Sequence, residues 1–193
     1  MESYSSQPAE ILDEVARVRR ETRTALQRMW FPLVLFGTLS CLSAVVSWRL
    51  GGVALGIFWM VAGPLGSVLT GLYYYRVERR VGVEVPIGRW MIGVAVILVG
   101  AFASGILGGV LEVAMVSAIG PALSISLGYL IFARIERSVA LAIVAIALAA
   151  LTVAMAASGV SADRVATTLA AAYGIAFLVT GLILQRQELS PSV

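Results

Sequence analysis

Six long runs of apolar residues, separated by short polar segments, make up most of the chain from residue 29 onward. Each run has about the 20 residues that an α-helix needs to cross the hydrocarbon core of a bilayer. The pattern therefore predicts an all-α polytopic membrane protein with six transmembrane helices. The predicted spans are residues 29–48, 52–75, 90–107, 110–133, 138–158 and 164–185.

The spacing of these runs groups the spans into three hairpins, 29–75, 90–133 and 138–185. Each block is long enough for two crossings and a tight turn, and each has a turn-like cluster near its middle. We therefore predict a transmembrane domain over 29–185, preceded by a cytoplasmic segment, 1–28, and followed by a short cytoplasmic tail, 186–193.

The polar segment before the first span carries an amphipathic helix pattern over residues 8–28. Pro8 suits a first helical position, and the acidic side chains that follow it suit a first turn. Apolar residues then recur at spacings of four and three. Two interpretations stay open: the helix lies on the inner membrane surface, or it presents its apolar stripe to a partner protein.

The distribution of arginine predicts the orientation. All fourteen basic residues are Arg, and twelve of them fall on the side of the membrane that holds the N-terminus. Cytoplasmic loops carry the excess of positive charge, so we expect both termini in the cytoplasm. The lack of lysine is typical of GC-rich bacterial genomes, which favours a bacterial plasma (inner) membrane.

Internal similarity links the second and fourth spans. Both contain Gly-Pro-x-x-Ser-x-x-x-Gly, from Gly63 to Gly71 and from Gly120 to Gly128, and both continue into Arg-x-Glu-Arg. The third hairpin matches in either of two registers. The spacing indicates three related hairpins, which are a recognised sign of repeat architecture.

The Gly-Pro pairs suggest a candidate midplane pocket or hinge. Proline removes a backbone hydrogen bond inside a helix, and interrupted helices at matching repeat positions point to transporter binding sites. The simpler alternative is that small residues on one face only let helices pack closely. The candidate residues are Gly63, Pro64, Ser67, Thr70, Gly120, Pro121, Ser124 and Ser126.

Two further sets of charged residues have alternative roles. Glu112 is a candidate coupling acid within an apolar stretch, although the hairpin spacing favours a place at the outer interface. The arginines at the inner ends of the spans are expected to be membrane anchors, or else a docking surface for a partner. This set contains Arg76, Arg79, Arg80, Arg89, Arg134 and Arg137.

Composition argues against an enzyme. Apolar residues make up 60% of the chain and charged residues 13%, with no histidine and a single cysteine, Cys41. Acid–base pairs, redox cysteines, zinc motifs and phosphate loops are all missing from the sequence. We expect no catalysis, no cofactor and no metal. A nucleic-acid partner is not expected either, because the basic residues flank apolar spans; membrane lipid and a homo-oligomer or another protein are the expected partners.

The segment from Leu55-Gly56-Ile57-Phe58 to Gly63, and the similar one from Tyr173 to Gly181, resemble the HdeD family of small six-span bacterial membrane proteins. That resemblance implies a non-enzymatic, stress-associated membrane protein. The Gly-Pro pairs and the long N-terminal helix depart from the family pattern. The expected function is therefore an accessory, sensory or stress-related one.

Another resemblance is architectural. The permease subunits of some ABC exporters are similar in having an amphipathic helix before the first span and a basic loop after the next one. In that class such a loop docks an ATPase. The alternative function is accordingly a small transporter, or a permease subunit that works with a separate ATPase.

Overall fold

The structure, a computed structural model, describes residues 29–81 and 87–189, and these residues form six α-helices with no strand. All six are long and apolar enough to cross a membrane. The prediction of an all-α, multi-pass membrane protein is thereby confirmed, whereas the predicted amphipathic helix over 8–28 lies outside the described residues. The helices are α1 (Trp30–Leu50), α2 (Gly52–Val81), α3 (Ile87–Val110), α4 (Ala114–Glu136), α5 (Val139–Ala157) and α6 (Ala162–Leu189).

The helices do not all pack on their neighbours in the sequence. The most extensive contacts are between α1 and α6 and between α3 and α4, followed by those of α4 with α5 and of α1 with α2. Smaller contacts of α6 with α4 and α5 join the two groups. In the described residues α3 touches only α4, and α2 touches little besides α1. The central helices are thus α1, α4, α5 and α6, with α2 and α3 at the periphery.

Short connections join the ends of consecutive helices. Gly51, between α1 and α2, has φ 84°, and Gly159, between α5 and α6, has φ 70°. Glycine adopts this left-handed conformation without the steric cost that a Cβ imposes. These turns lie where the sequence predicts the middle of the first and third hairpins. Because α5 packs mainly on α4 and α6 mainly on α1, the arrangement as three repeated hairpins stays a prediction.

Glycines set the close approach of α1 to α6. A Cβ at Gly174 would lie 2.7 Å from the backbone nitrogen of Cys41 and 3.0 Å from the carbonyl oxygen of Gly37. Nearer the other end of the interface, a Cβ at Gly181 would lie 3.1 Å from the carbonyl oxygen of Trp30. Helices in lipid associate through such backbone contact because burial of apolar surface gives no advantage there. The first and last spans are therefore held together by small residues.

Candidate functional site

The most buried polar residues of α4, α5 and α6 meet in one cluster. The Tyr173 hydroxyl donates to the Ala122 carbonyl oxygen at 2.9 Å. It also lies 2.6 Å from Ser126 Oγ and 3.0 Å from Thr152 Oγ1. The three side chains are at most 3% exposed. We call Ser126, Thr152 and Tyr173 the hydroxyl cluster.

The hydroxyl cluster has more hydrogen-bond contacts than protons. Thr152 Oγ1 also donates to the Leu148 carbonyl oxygen at 2.8 Å, so three hydroxyl protons serve four contacts. Each hydroxyl donates only one hydrogen bond. When Tyr173 donates to Ala122 and Thr152 to Leu148, the oxygen atoms of Tyr173 and Thr152 face each other without a proton between them. Ser126 is then the donor to Tyr173.

The contacts of the hydroxyl cluster among the described residues are hydrogen bonds. A serine or threonine hydroxyl becomes a nucleophile only beside a base or a metal. The buried polar residues in the described ranges are all serine or threonine, without a carboxylate or an arginine among them. The cluster therefore joins three helices in the interior of the bundle.

One member of the hydroxyl cluster was predicted from the sequence, and two were not. Ser126 belongs to the predicted pocket, whereas Thr152 and Tyr173 lie in the predicted third hairpin, which has no Gly-Pro pair. Both are isolated polar residues within long apolar runs. Such residues face the bundle interior when a polar partner is present, and this was the available signal.

The other fourth-span candidates pack against α3. A Cβ at Gly120 would overlap the side chain of Ser104, and a Cβ at Gly100 would overlap that of Ser124. Ser124 Oγ donates to the carbonyl oxygen of Gly120 at 2.8 Å, which directs its proton to its own helix. Pro121 lies within α4, and helical structure continues on both sides of it. The small stripes of α3 and α4 therefore interlock in antiparallel fashion.

The second-span candidates differ in exposure, since Gly63 and Thr70 are half-buried. Pro64, Ser67 and Gly71 are exposed, and a Cβ at Gly71 would meet no described atom within 4 Å. The Ser67 hydroxyl donates to the Gly63 carbonyl oxygen at 2.9 Å, and the Thr70 hydroxyl donates to its own helix in the same way. Among the described residues, this face of α2 is therefore bare in the isolated chain.

The structure does not bring the two Gly-Pro motifs together, since α2 and α4 make no contact among the described residues. A single pocket lined by Ser67, Thr70, Ser124 and Ser126 would need that contact. Within the described ranges, Ser126 alone of the four reaches another helix by a hydrogen bond. The midplane pocket stays a prediction, and its two halves lie in different environments.

The charged candidates lie at the ends of the helices. Glu112 is exposed in the turn between α3 and α4, with φ 54°. Both roles considered for Glu112, the coupling acid and the interfacial residue, stay predictions. Arg76 and Arg79 are exposed near the end of α2, and Arg134 near the end of α4. Because spans alternate in direction, these ends lie on one side of the bundle.

Arg137 follows α4 directly and is exposed, with φ 53°. The remaining arginines of the predicted anchor set, Arg80 and Arg89, have side chains outside the described residues. Neither the anchor nor the docking role of the set is tested by these positions.

A second buried tyrosine contrasts with Tyr173. Tyr129, 8% exposed, stacks on Phe177 with ring centroids 4.4 Å apart and meets Phe132 edge-on. Its hydroxyl has no hydrogen-bond partner in the described part of the chain. The aromatic ring is thus the part of Tyr129 that contributes to packing.

No protein-family model, curated protein or solved structure matches the chain. The residues described above therefore carry the functional argument by themselves.

Proposed function

We propose that the chain is a non-enzymatic accessory or sensory protein of a bacterial inner membrane, which assembles with a second copy of itself through α2. The observation that carries the proposal is the stripe of Gly63, Ser67 and Gly71, in which Ser67 and Gly71 are exposed and Gly63 is half-buried. We call these three residues the α2 stripe. Small residues at this spacing are typical of helix–helix interfaces in lipid.

The α3–α4 pair shows a stripe of this kind in contact with a neighbouring helix. In α4 the same motif receives the small residues of α3, where Gly100 lies against Ser124 and Ser104 against Gly120. The α2 stripe has the same chemistry but no helix on it within the described ranges. A second copy supplies a matching stripe, and a twofold interface requires only that one surface complement itself.

A neighbouring side of α2 packs within the chain. A Cβ at Gly66 would lie 3.1 Å from the ring of Phe36 on α1. The α2 stripe lies to one side of this contact, and no helix of the described ranges covers it. The proposal has two further parts. Both termini lie in the cytoplasm, and the three hairpins descend from one unit. They are supported by the arginine distribution and by the repeated Gly-Pro motif.

The test is self-association of the full chain in lipid bilayers, measured by energy transfer between labelled copies as the lipid-to-protein ratio is varied. The double variant Gly63→Leu/Gly71→Leu adds bulk to the α2 stripe. Gly71 has no described atom within 4 Å, and the nearest atom to a Cβ at Gly63 is in Trp59 of the same helix at 4.0 Å. The monomer therefore accommodates both changes, and we expect dimers to be lost while folding is kept.

The matched control is Val61→Phe, because Val61 is 58% exposed on α2 and lies outside the α2 stripe. It enlarges an exposed side chain on another face of the helix and is expected to leave self-association unchanged. Equal self-association of the double variant and the unmodified chain would contradict the α2 interface. Co-purification of an ATPase, together with ATP-dependent transport in proteoliposomes, would favour the permease alternative.

A further inference from the structure

A groove of about 590 Å³ runs along the outside of the bundle where α4 ends and α5 begins. Its apolar wall includes Leu130 and Ile131 of α4 and Val139 and Ala142 of α5. These residues belong to helices that are long and apolar enough to cross a membrane. An acyl chain that lies along this wall would replace contacts with other lipids, and it would cover no polar group.

One end of the groove is polar and positively charged. Arg134, Arg137 and Ser138 complete its lining, and both arginines are exposed. Neither arginine forms a salt bridge with a residue in the described ranges. Two exposed guanidinium groups at one end of a groove suit an anion, because a guanidinium binds a phosphate by two parallel hydrogen bonds.

The start of α5 adds backbone donors at the same place. Ser138 Oγ accepts a hydrogen bond from the Leu141 backbone nitrogen at 3.3 Å, which satisfies one of the first amides of α5. The amides of Val139 and Ala140 have no acceptor in the described part of the chain, as is usual for the first turn of a helix. Free amides at a helix start favour a negative charge.

We propose that this groove binds one anionic phospholipid. Its phosphate lies between Arg134 and Arg137, and an acyl chain follows the apolar wall toward the middle of the membrane. An open apolar groove with a cationic end matches an amphiphile that has one charged head and a hydrocarbon tail. A soluble anion would use only the polar end.

The first experiment measures lipid selectivity on the detergent-purified full chain by native mass spectrometry, with phosphatidylglycerol and phosphatidylcholine as probes. We expect roughly tenfold or greater preference for phosphatidylglycerol, since one arginine near a membrane surface contributes about fivefold to anionic lipid binding. The variant Arg134→Gln/Arg137→Gln should lose this preference. The control Arg76→Gln/Arg79→Gln removes the same charge at the same end of the bundle, outside the groove, and should keep it.

The second experiment addresses the acyl chain. Ala142→Trp fills the groove from α5 and should lower retention of phosphatidylglycerol without changing the charge. Ile143→Trp enlarges the adjacent residue, which is 61% exposed and outside the lining, and should have no effect. Excess inorganic phosphate should not displace the lipid.

Three outcomes would overturn the proposal. If both arginine double variants lost the lipid selectivity equally, its cause would be a diffuse surface charge. Unchanged retention in Ala142→Trp would show that no acyl chain occupies the groove. Displacement by inorganic phosphate would identify the site as one for a soluble anion.

Discussion

The two buried tyrosines offer a matched pair for testing what the hydroxyl cluster contributes to stability. Tyr173→Phe and Tyr129→Phe remove the same atom from rings that are 3% and 8% exposed. Tyr173 has three polar neighbours, whereas Tyr129 has none in the described residues. We therefore expect Tyr173→Phe to lower the free energy of unfolding and Tyr129→Phe to raise it.

The size of the effect follows from counting the bonds that survive. Without the Tyr173 hydroxyl, Ser126 can donate to the Ala122 carbonyl oxygen, four residues earlier on its own helix, as serine often does. Thr152 keeps its bond to Leu148. One hydrogen bond of three is lost, which corresponds to about 1 kcal/mol. Removing the Tyr129 hydroxyl, which has no partner among the described residues, should stabilise the chain by about 1 kcal/mol, since a buried polar group without a partner costs at least that much.

The measurement is equilibrium unfolding of the full chain in bicelles, by steric trapping, with all variants under one condition. Ser126→Ala and the double variant Ser126→Ala/Tyr173→Phe complete a thermodynamic cycle. Their effects should be non-additive, because the two residues share a bond. Equal destabilisation by Tyr129→Phe and Tyr173→Phe, or strict additivity in the cycle, would refute the hydrogen-bond argument.

Three other changes give further outcomes in the same unfolding assay. Gly174→Leu should lower the free energy of unfolding by about 2–3 kcal/mol, because the larger side chain forces α1 away from α6. Gly105→Leu should have little effect, because a Cβ at Gly105 lies in open space. Equal losses of stability in the two variants would contradict the α1–α6 interface. Thr167→Val removes the 2.7 Å contact between the hydroxyl groups of Thr167 and Ser47 and should lower the free energy of unfolding by about 0.6 kcal/mol. An unchanged stability would mean that this contact is not stabilising. Glu112→Gly should stabilise by up to about 1 kcal/mol, because φ is 54° there and glycine avoids the left-handed penalty; a loss of stability would contradict this.

The spans could be predicted because bilayer thickness fixes the length of an apolar helix. The predicted first span, 29–48, compares with α1 at Trp30–Leu50, and the predicted fifth, 138–158, with α5 at Val139–Ala157. The largest displacement of a single end is at the second span, where α2 continues to Val81. The end of α2 is rich in arginine and therefore polar. The apolar run accordingly ends before the backbone hydrogen bonds of the helix do.

The pairing of helices could not be predicted in the same way. A lipid-facing surface and a helix-facing surface are both apolar, so hydrophobic periodicity does not separate them. Nothing in the sequence indicates that the glycines of α6 meet those of α1 across the whole chain. The hydroxyl cluster illustrates the same limit: Ser126 was a candidate, but its partner Tyr173 is 47 residues away, and only the fold joins them.

The two copies of the Gly-Pro motif give the strongest reason to expect a partner for α2. A glycine in the interior of a helix costs about 1 kcal/mol relative to alanine. In α4 this cost is offset, because Gly120 and Gly128 admit side chains of α3 that a Cβ would exclude. Gly71 in α2 admits nothing from the described part of the chain, since no atom there lies within 4 Å of a Cβ at this position. A second helix on the α2 stripe would provide the missing contact, and a chain that functions alone would be more stable with alanine at this position.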